Sequence, residues 1–142
     1  MDEITGREKE VAGTIAELKA GEKTEPIASF LNMRLAELSS GYARVVMKLT
    51  PDYQNFNGMV FGGVIMAVAD QAFAYGCNSL AYPSIATQFN IHFVAGPSPE
   101  DELTAEGRIV RKGRRVDICE MTVSNQDGKL IARATGTAIP VT

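Results

Sequence analysis

The sequence predicts an α+β fold in which an antiparallel six-stranded sheet wraps around a long central helix, after a short N-terminal helical lead-in. Residues 60–82 form a nearly continuous apolar run that contains one charged side chain, Asp70. Two segments with the alternation of β-strands precede this run, and four strand-like segments follow it. Because a helix that is apolar on every side has to be buried, the strands are expected to cover it.

The N-terminal residues 1–30 are predicted to form the helical lead-in, and residues 31–142 the main domain. Within the lead-in, residues 5–18 place apolar side chains at the spacing of one helix face, and residues 26–31 form a second short helical segment. A chain of 142 residues has the length of one compact domain.

The strands are predicted from alternation and from the turns between them. Residues 33–37 and 42–49 alternate around Ser39-Ser40-Gly41, which predicts a hairpin. Four further strands are predicted at residues 87–95, 103–111, 116–125 and 130–139. Each junction contains glycine or proline, and Asp127-Gly128 is a strong hairpin signal. These four strands are therefore predicted to join as a meander.

Charge and composition limit the classes of partner. The net charge of −3 and the pI near 5.2 argue against broad attraction to nucleic acid or to an anionic membrane. A bilayer span is disfavoured because a central Asp70 would cost about 2.5–3.5 kcal/mol. The charged N-terminal residues lack the pattern of a signal peptide, so we expect a cytoplasmic protein. With two isolated cysteines and one histidine, no metal site is expected.

The apolar helix also predicts self-association. A single six-stranded sheet leaves part of such a helix and one sheet face uncovered, and symmetric homodimers commonly cover a self-complementary patch. We therefore expect at least a homodimer, and a homotetramer built as a dimer of dimers is compatible with the same pattern.

A motif at the start of the apolar run resembles a known family. Six residues carry the pattern: Asn55, Gly58, Phe61, Gly62, Gly63 and Asp70. It resembles the motif Asn-x-x-Gly-x-x-His-Gly-Gly, followed by an apolar helix with Asp, of the hotdog-fold acyl-CoA thioesterases of the phenylacetate-degradation (PaaI-like) type. The resemblance extends over residues 31–141. It implies a hotdog domain that hydrolyses an acyl-CoA to a free acid and coenzyme A, with no cofactor beyond the coenzyme A of the substrate.

The chemistry of thioester hydrolysis suggests a role for each motif residue. Negative charge develops on the thioester oxygen, and backbone amides in the first turn of a helix are unpaired donors, which Gly62 and Gly63 would supply. The resemblance implies that Gly62 is the main donor, that Asp70 is a general base or a nucleophile, and that Asn55 positions the thioester or the water. Asp70 lies about 10 Å further along the helix, so it is expected to act with Gly62 of a second subunit.

The motif departs from the family pattern at Phe61, which replaces a histidine and cannot donate a hydrogen bond. Apolar side chains near the motif are predicted to form the walls around an aromatic or medium apolar acyl group, with Gly63 binding the substrate beside them. These predicted walls are Met59, Phe61, Met66 and Phe73.

Two further groups of residues are predicted to contact the substrate. In the family that the motif resembles, a hydroxyl near the position of Ala86 holds the water. Thr87 carries the closest hydroxyl in this sequence. Arg111 and Arg114 belong to a basic cluster with Lys112 and Arg115, and arginine forks suit the phosphates of coenzyme A.

Simpler interpretations of these residues remain open. In these interpretations, the glycine pair serves only close packing, and Asp70 is a structural carboxylate bonded to the sheet. Asn55 then only forms a turn, and the basic cluster is a solvated hairpin tip. A second hypothesis, based on the loss of the motif histidine at Phe61, is a non-catalytic module that binds acyl-CoA or has a regulatory role. An enoyl-CoA hydratase is disfavoured, because its paired Asp and His, five residues apart, are absent.

Overall fold

The computed structural model describes residues 2–141, with side chains from residue 6 onward. The elements in chain order are α1 Asp2–Glu22, α2 Pro26–Phe30, β1 Met33–Ser39, β2 Tyr42–Lys48, α3 Gly62–Asn78, β3 Ser84–Phe93, β4 Glu102–Lys112, β5 Asp117–Ser124 and β6 Leu130–Pro140. The predicted fold class is confirmed, because six antiparallel strands form one sheet around α3. The outermost positions of the predicted segments, Met1 and Thr142, lie outside the described residues.

The order of the strands corrects the predicted meander. The sheet runs β1-β2-β4-β5-β6-β3, so β3 pairs with β6 at the edge of the sheet, and β4 pairs with β2. Only β4, β5 and β6 form a meander. The connection between β3 and β4 contains Pro97 and Pro99, which lack the amide that a tight hairpin would use. This longer connection carries the chain from the edge strand β3 past β6 and β5 to β4.

The central helix packs unusually close to the sheet. A Cβ atom on Gly107 of β4 would lie 2.8 Å from the carbonyl oxygen of Ala72, and one on Gly136 of β6 would lie 2.4 Å from Cε2 of Phe73. Neither distance is possible for a real side chain, so glycine is required at both positions. The two glycines allow the middle of α3, around Ala72 and Phe73, to approach the sheet closely.

The helical lead-in packs against the same core. Ile15 and Leu18 of α1 pack against Leu38 and Tyr75. At the end of α1, Oε1 of Glu22 accepts a hydrogen bond from the backbone amide of Leu35 at 3.0 Å. Between residues 2 and 141, no helix has the length and apolar character needed to cross a membrane.

The two faces of the sheet differ in chemistry. The face against α3 is apolar, whereas the outer face carries charged and polar side chains, including the pair Arg108 and Glu106 with Nη2 and Oε2 3.5 Å apart. This contrast is typical of an antiparallel sheet with one solvated face. Exposed apolar side chains occur at the start of α3, at Phe61 and Met66, and on the edge strand β3, at Phe93.

Candidate active site

The first turn of α3 presents two unpaired backbone donors. Phe61 is the N-cap residue, with extended backbone and no side-chain cap, and Gly62 and Gly63 follow it. The amide of Val64 already bonds to the carbonyl of Phe61 at 3.0 Å. Among the described residues, no acceptor takes a hydrogen bond from the amides of Gly62 or Gly63. Such a turn can accept a negatively charged oxygen, since the helix dipole adds to the amides.

Asn55 organises the loop that leads into this turn. Its Oδ1 accepts hydrogen bonds from the amides of Asn57 at 2.9 Å and Met59 at 3.2 Å. The loop requires glycine at Gly58, where φ is 73°. The Oδ1 atom is thus committed to the loop. The Nδ2 atom has no partner within residues 6–141, so it is the group of Asn55 that can reach a substrate.

Two aromatic rings lie against the glycine pair. A Cβ atom on Gly63 would be 2.6 Å from Cε1 of Phe61, and one on Gly62 would be 3.3 Å from Cζ of Phe93. Sequence reasoning missed Phe93 as a site residue, because its alternation with Phe89 and Ile91 suggested a core strand. The exposed ring of Phe93 instead follows from the position of β3 at the sheet edge.

An apolar cleft of about 440 Å³ opens beside the amide of Gly62. It is lined by Gly58, Met59, Val60, Gly62, Ile65, Phe93, Val94, Ala95, Gly96, Pro97 and Pro99. Met59, one of the predicted walls around the acyl group, therefore lines this cleft. The cleft has no charged lining residue, which suits an apolar group.

The other predicted acyl walls fall into two groups. Phe61 and Met66 are exposed near the cleft but do not line it. Phe73 departs from the prediction, because its side chain is only 1% exposed and packs in the core near Phe89, with ring centroids 6.1 Å apart. Its size fills the space left by Gly136, so it supports the helix rather than contacting a substrate.

Asp70 lies on the side of α3 that faces away from its own sheet. It belongs to an exposed stripe at helical spacing with Gly63, Met66 and Ala74. No hydrogen bond or ion pair of its carboxylate occurs within residues 6–141, so it is not bonded to the sheet of its own chain. Desolvation by the surrounding protein raises the pKa of the Asp70 carboxyl.

The remaining predicted contacts lie away from the glycine pair. Thr87 occupies a bulge of β3, where its Oγ1 donates to the carbonyl of Thr137 at 3.3 Å. Arg111 pairs with Ile118, whose neighbours Asp117 and Cys119 face α3, so strand alternation places Arg111 on the outer face of the sheet.

The hairpin turn that contains Arg114 lies at the opposite end of α3 from Gly62. Lys112, the last residue of β4 before this turn, lines a groove together with Ser79 and Leu80, which directly follow the end of α3. One chain therefore brings together Asn55, the two glycines, Met59 and Phe61. It does not bring Asp70 or the arginines to them. In the described part of the chain, no three His, Cys, Asp or Glu side chains cluster so as to hold a metal ion.

The family model for the thioesterase superfamily matches residues 57–132, and the chain belongs to this superfamily. A putative esterase of Archaeoglobus fulgidus is 32% identical over 119 residues, covering 84% of this chain and 77% of that protein. The acyl-coenzyme A thioesterase PaaI of Escherichia coli is 28% identical over 110 residues, covering 78% of this chain and 79% of that protein.

Solved structures agree with this assignment. The structure of E. coli PaaI superposes with a TM-score of 0.84 at 26% identity, covering 90% of this chain and 94% of that one. A Streptococcus mutans protein bound to acetyl-CoA gives a TM-score of 0.75 at 26% identity, covering 79% and 90% of the two chains. The chain is therefore a PaaI-like thioesterase with the hotdog fold, and its class of activity is thioester hydrolysis.

Proposed function

We propose that this protein hydrolyses an acyl-CoA with an aromatic or medium apolar acyl group, releasing the free acid and coenzyme A. The observation that carries the proposal is the pair of unpaired amides at Gly62 and Gly63, of which Gly62 lines the apolar cleft of about 440 Å³. The amides supply electrostatic stabilisation for a thioester oxygen, and the cleft accepts the apolar group attached to it. The names of the E. coli and S. mutans relatives support coenzyme A as the thiol.

In the proposed mechanism, the thioester carbonyl points its oxygen at the amide of Gly62. As water or a carboxylate attacks the carbonyl carbon, this amide stabilises the oxyanion, and Nδ2 of Asn55 orients the thioester or the water. Asp70 of a second subunit either removes a proton from the water or attacks the carbon itself to form a mixed anhydride. As the tetrahedral intermediate collapses, the sulfur of coenzyme A leaves and takes up a proton. Attack by water gives the free acid directly, whereas in the other route water hydrolyses the mixed anhydride, which releases the acid and restores Asp70. No metal or organic cofactor takes part in either proposed route.

A homodimer is part of this proposal, because Asp70 cannot reach Gly62 of its own helix. The exposed stripe of α3 and the edge strand β3 both support it. Ile85 and Phe93 of β3 are more than half exposed, and an unprotected apolar sheet edge is a site for pairing with another chain. A dimer formed there would contain two equivalent sites, and two dimers could form a tetramer.

The acyl group is proposed to lie between Met59, Ile65 and Phe93, with the ring of Phe61 at the entrance. Rings favour offset or edge contacts with other rings, which supports an aromatic acid. Met66 and Gly63 are proposed to contact the part of the substrate nearest the second subunit, and Thr87 to contact it from the β3 edge.

Release of free thiol from a panel of aromatic, short and long acyl-CoAs tests the proposed function. We expect hydrolysis by the wild type that is lost in both Asp70→Ala and Asp70→Asn. Asp127→Asn is the matched control, because this exposed carboxylate lies in a distant turn that asparagine also accommodates. Retained activity in Asp70→Asn would contradict the role of this carboxylate.

A second candidate function is a non-catalytic module that binds acyl-CoA, and Phe61 is the observation in its favour. Its ring occupies the position of the family histidine and supplies no hydrogen bond or charge. Tight binding of acyl-CoA by the wild type, with Asp70 intact and no thiol released, would establish this second function in place of hydrolysis.

A further inference from the structure

We propose that the nucleotide end of coenzyme A binds in the groove between α1, the end of α3 and the turn from β4 to β5, here called the nucleotide groove. This inference rests on the proposed acyl-CoA thioesterase function. The groove has a volume of about 500 Å³ and is separate from the acyl cleft. Its lining includes Arg7, Glu10, Leu80, Tyr82, Lys112 and Val141.

The chemistry of the groove suits a nucleotide with phosphates. Tyr82 is 64% exposed, and a base can stack on such a ring. Arg7 adds positive charge, while Glu10 offsets it and Asp117 pairs with Lys112. The carbonyl end of α3 also disfavours an anion. Further basic side chains are therefore needed for phosphate binding, and the adjoining turn contains them.

The turn is built rigidly on a buried carboxylate. The amide of Gly113 donates to Oδ1 of Asp117 at 3.1 Å and to the carbonyl of Val116 at 3.1 Å. A Cβ atom on Gly113 would lie 2.2 Å from that carbonyl oxygen, so only glycine fits. The Asp117 side chain is fully buried, and its Oδ1 also lies 3.4 Å from Nζ of Lys112. These contacts anchor the backbone of the turn to the start of β5.

This arrangement determines which basic side chains are available. Lys112 is paired with Asp117, and Arg111 points to the outer face of the sheet. Arg114 and Arg115 lie at the exposed tip of the turn, and neither forms an ion pair within residues 6–141. Their guanidinium forks match phosphate oxygens. The phosphate contact is therefore assigned to Arg114 and Arg115, which replaces Arg111 of the sequence prediction.

The distance from the reaction centre supports the same assignment. The groove begins at Ser79, nine residues after Asp70, which is roughly 13 Å along a helix. In coenzyme A, the long pantetheine arm separates the reacting sulfur from the phosphates. A substrate with its thioester at Asp70 can therefore place its nucleotide in the groove of the same subunit, while Gly62 and Asn55 come from the other.

A pair of substrates tests the inference: one acyl-CoA, and the N-acetylcysteamine thioester of the same acid, which lacks the nucleotide. For the double variant Arg114→Ala with Arg115→Ala, we expect KM for acyl-CoA to rise about tenfold or more, since hydrogen bonds to charged groups are lost. Hydrolysis of the short thioester should stay unchanged. Tyr82→Ala should show the same selectivity, and Lys129→Ala, at the tip of the next hairpin, should affect neither substrate.

The possible results distinguish this inference from the proposed function. Equal losses on both substrates would show a general disturbance of the fold and would overturn the nucleotide groove, as would an unchanged KM for acyl-CoA. If the wild type hydrolyses neither substrate, the proposed function fails. Calorimetric titration of the wild type and of the arginine double variant with coenzyme A then tests the groove alone. Weaker binding by the double variant would support the groove, and equal binding by the two proteins would overturn it.

Discussion

At the scale of single residues, Asp70 is unusual because it lies on the exposed stripe of α3 although the surrounding protein removes part of its solvation. Desolvation raises the pKa of its carboxyl, and within residues 6–141 it forms no ion pair that would offset this effect. A stronger base results, which suits removal of a proton from water near neutral pH. The ionised form of Asp70 is correspondingly less stable, because no ion pair within residues 6–141 stabilises it.

The raised pKa of Asp70 predicts the pH dependence of activity. As a base or nucleophile it acts only when ionised, so kcat/KM should fall as the pH decreases through its pKa. We expect this acid limb to lie above about pH 4, the ordinary value for aspartate. A pH profile of kcat/KM, measured at aromatic acyl-CoA concentrations well below KM, tests this prediction. An acid limb below that value would contradict the role of desolvation.

The same pKa predicts an effect on stability. A carboxyl whose pKa is higher in the folded state favours folding when protonated, and this contribution is lost as the pH rises through the folded pKa. At pH 7 the ionised Asp70 is therefore unfavourable. We expect Asp70→Asn to have a higher Tm than the wild type at pH 7, with a difference that shrinks near pH 4. Thermal unfolding at both values measures this, and a lower Tm at pH 7 would contradict it.

At the scale of elements, a substitution in the first turn of α3 distinguishes an effect on activity from an effect on stability. Gly62→Ala should keep the helix, because alanine is the better helix former and Phe93 is the side chain that has to move. The new methyl group should obstruct the approach of a thioester to the amide and lower kcat/KM. Thiol release and thermal unfolding of the same sample measure both effects. Unchanged kcat/KM would show that this amide does not contact the substrate.

The connection between α1 and α2 is tied to the helix that carries Asp70. The carboxylate of Glu25 accepts a hydrogen bond from the Tyr75 hydroxyl at 2.8 Å and another from Nε2 of Gln71. Burial raises the pKa of Tyr75, and the hydrogen bond to Glu25 raises it further. The lead-in and α3 therefore form one packed unit.

Glu25→Ala should destabilise the protein by about 1–3 kcal/mol, since Tyr75 and Gln71 lose their shared acceptor. Denaturant unfolding measures this change. The matched control is Glu17→Ala, an exposed carboxylate of α1, and Glu25→Gln should retain most of the stability because its amide oxygen still accepts. Equal stability of Glu25→Ala and the wild type would show that this contact contributes nothing.

At the scale of the whole molecule, the proposed site requires two chains, and mixed dimers test this requirement. Asn55→Ala and Asp70→Asn are each expected to be inactive. Coexpression should form heterodimers with one complete site of two, so purified heterodimers should have about half of the wild-type activity. Thiol release from doubly tagged heterodimers measures it. No recovery would show that Asn55 and Asp70 act from the same chain.

The sequence by itself determined much of the fold and the class of the protein. The apolar run with Asp70 predicted α3, alternation predicted the strands, and Asp127-Gly128 predicted the last hairpin. These features depend on local preferences for helix, strand and turn, which neighbouring residues express directly. The glycine motif identified the superfamily for the same reason, because its chemistry is contained in a few consecutive residues.

Only the tertiary structure decided how distant segments meet. It placed β3 beyond β6, packed Phe73 against Gly136 in the core, and brought Phe93 onto Gly62. It also placed Arg111 on the outer face of the sheet. Each of these results depends on strand order, register or the depth of α3. Those quantities arise from contacts between residues far apart in the chain, so no local pattern of side chains contains them.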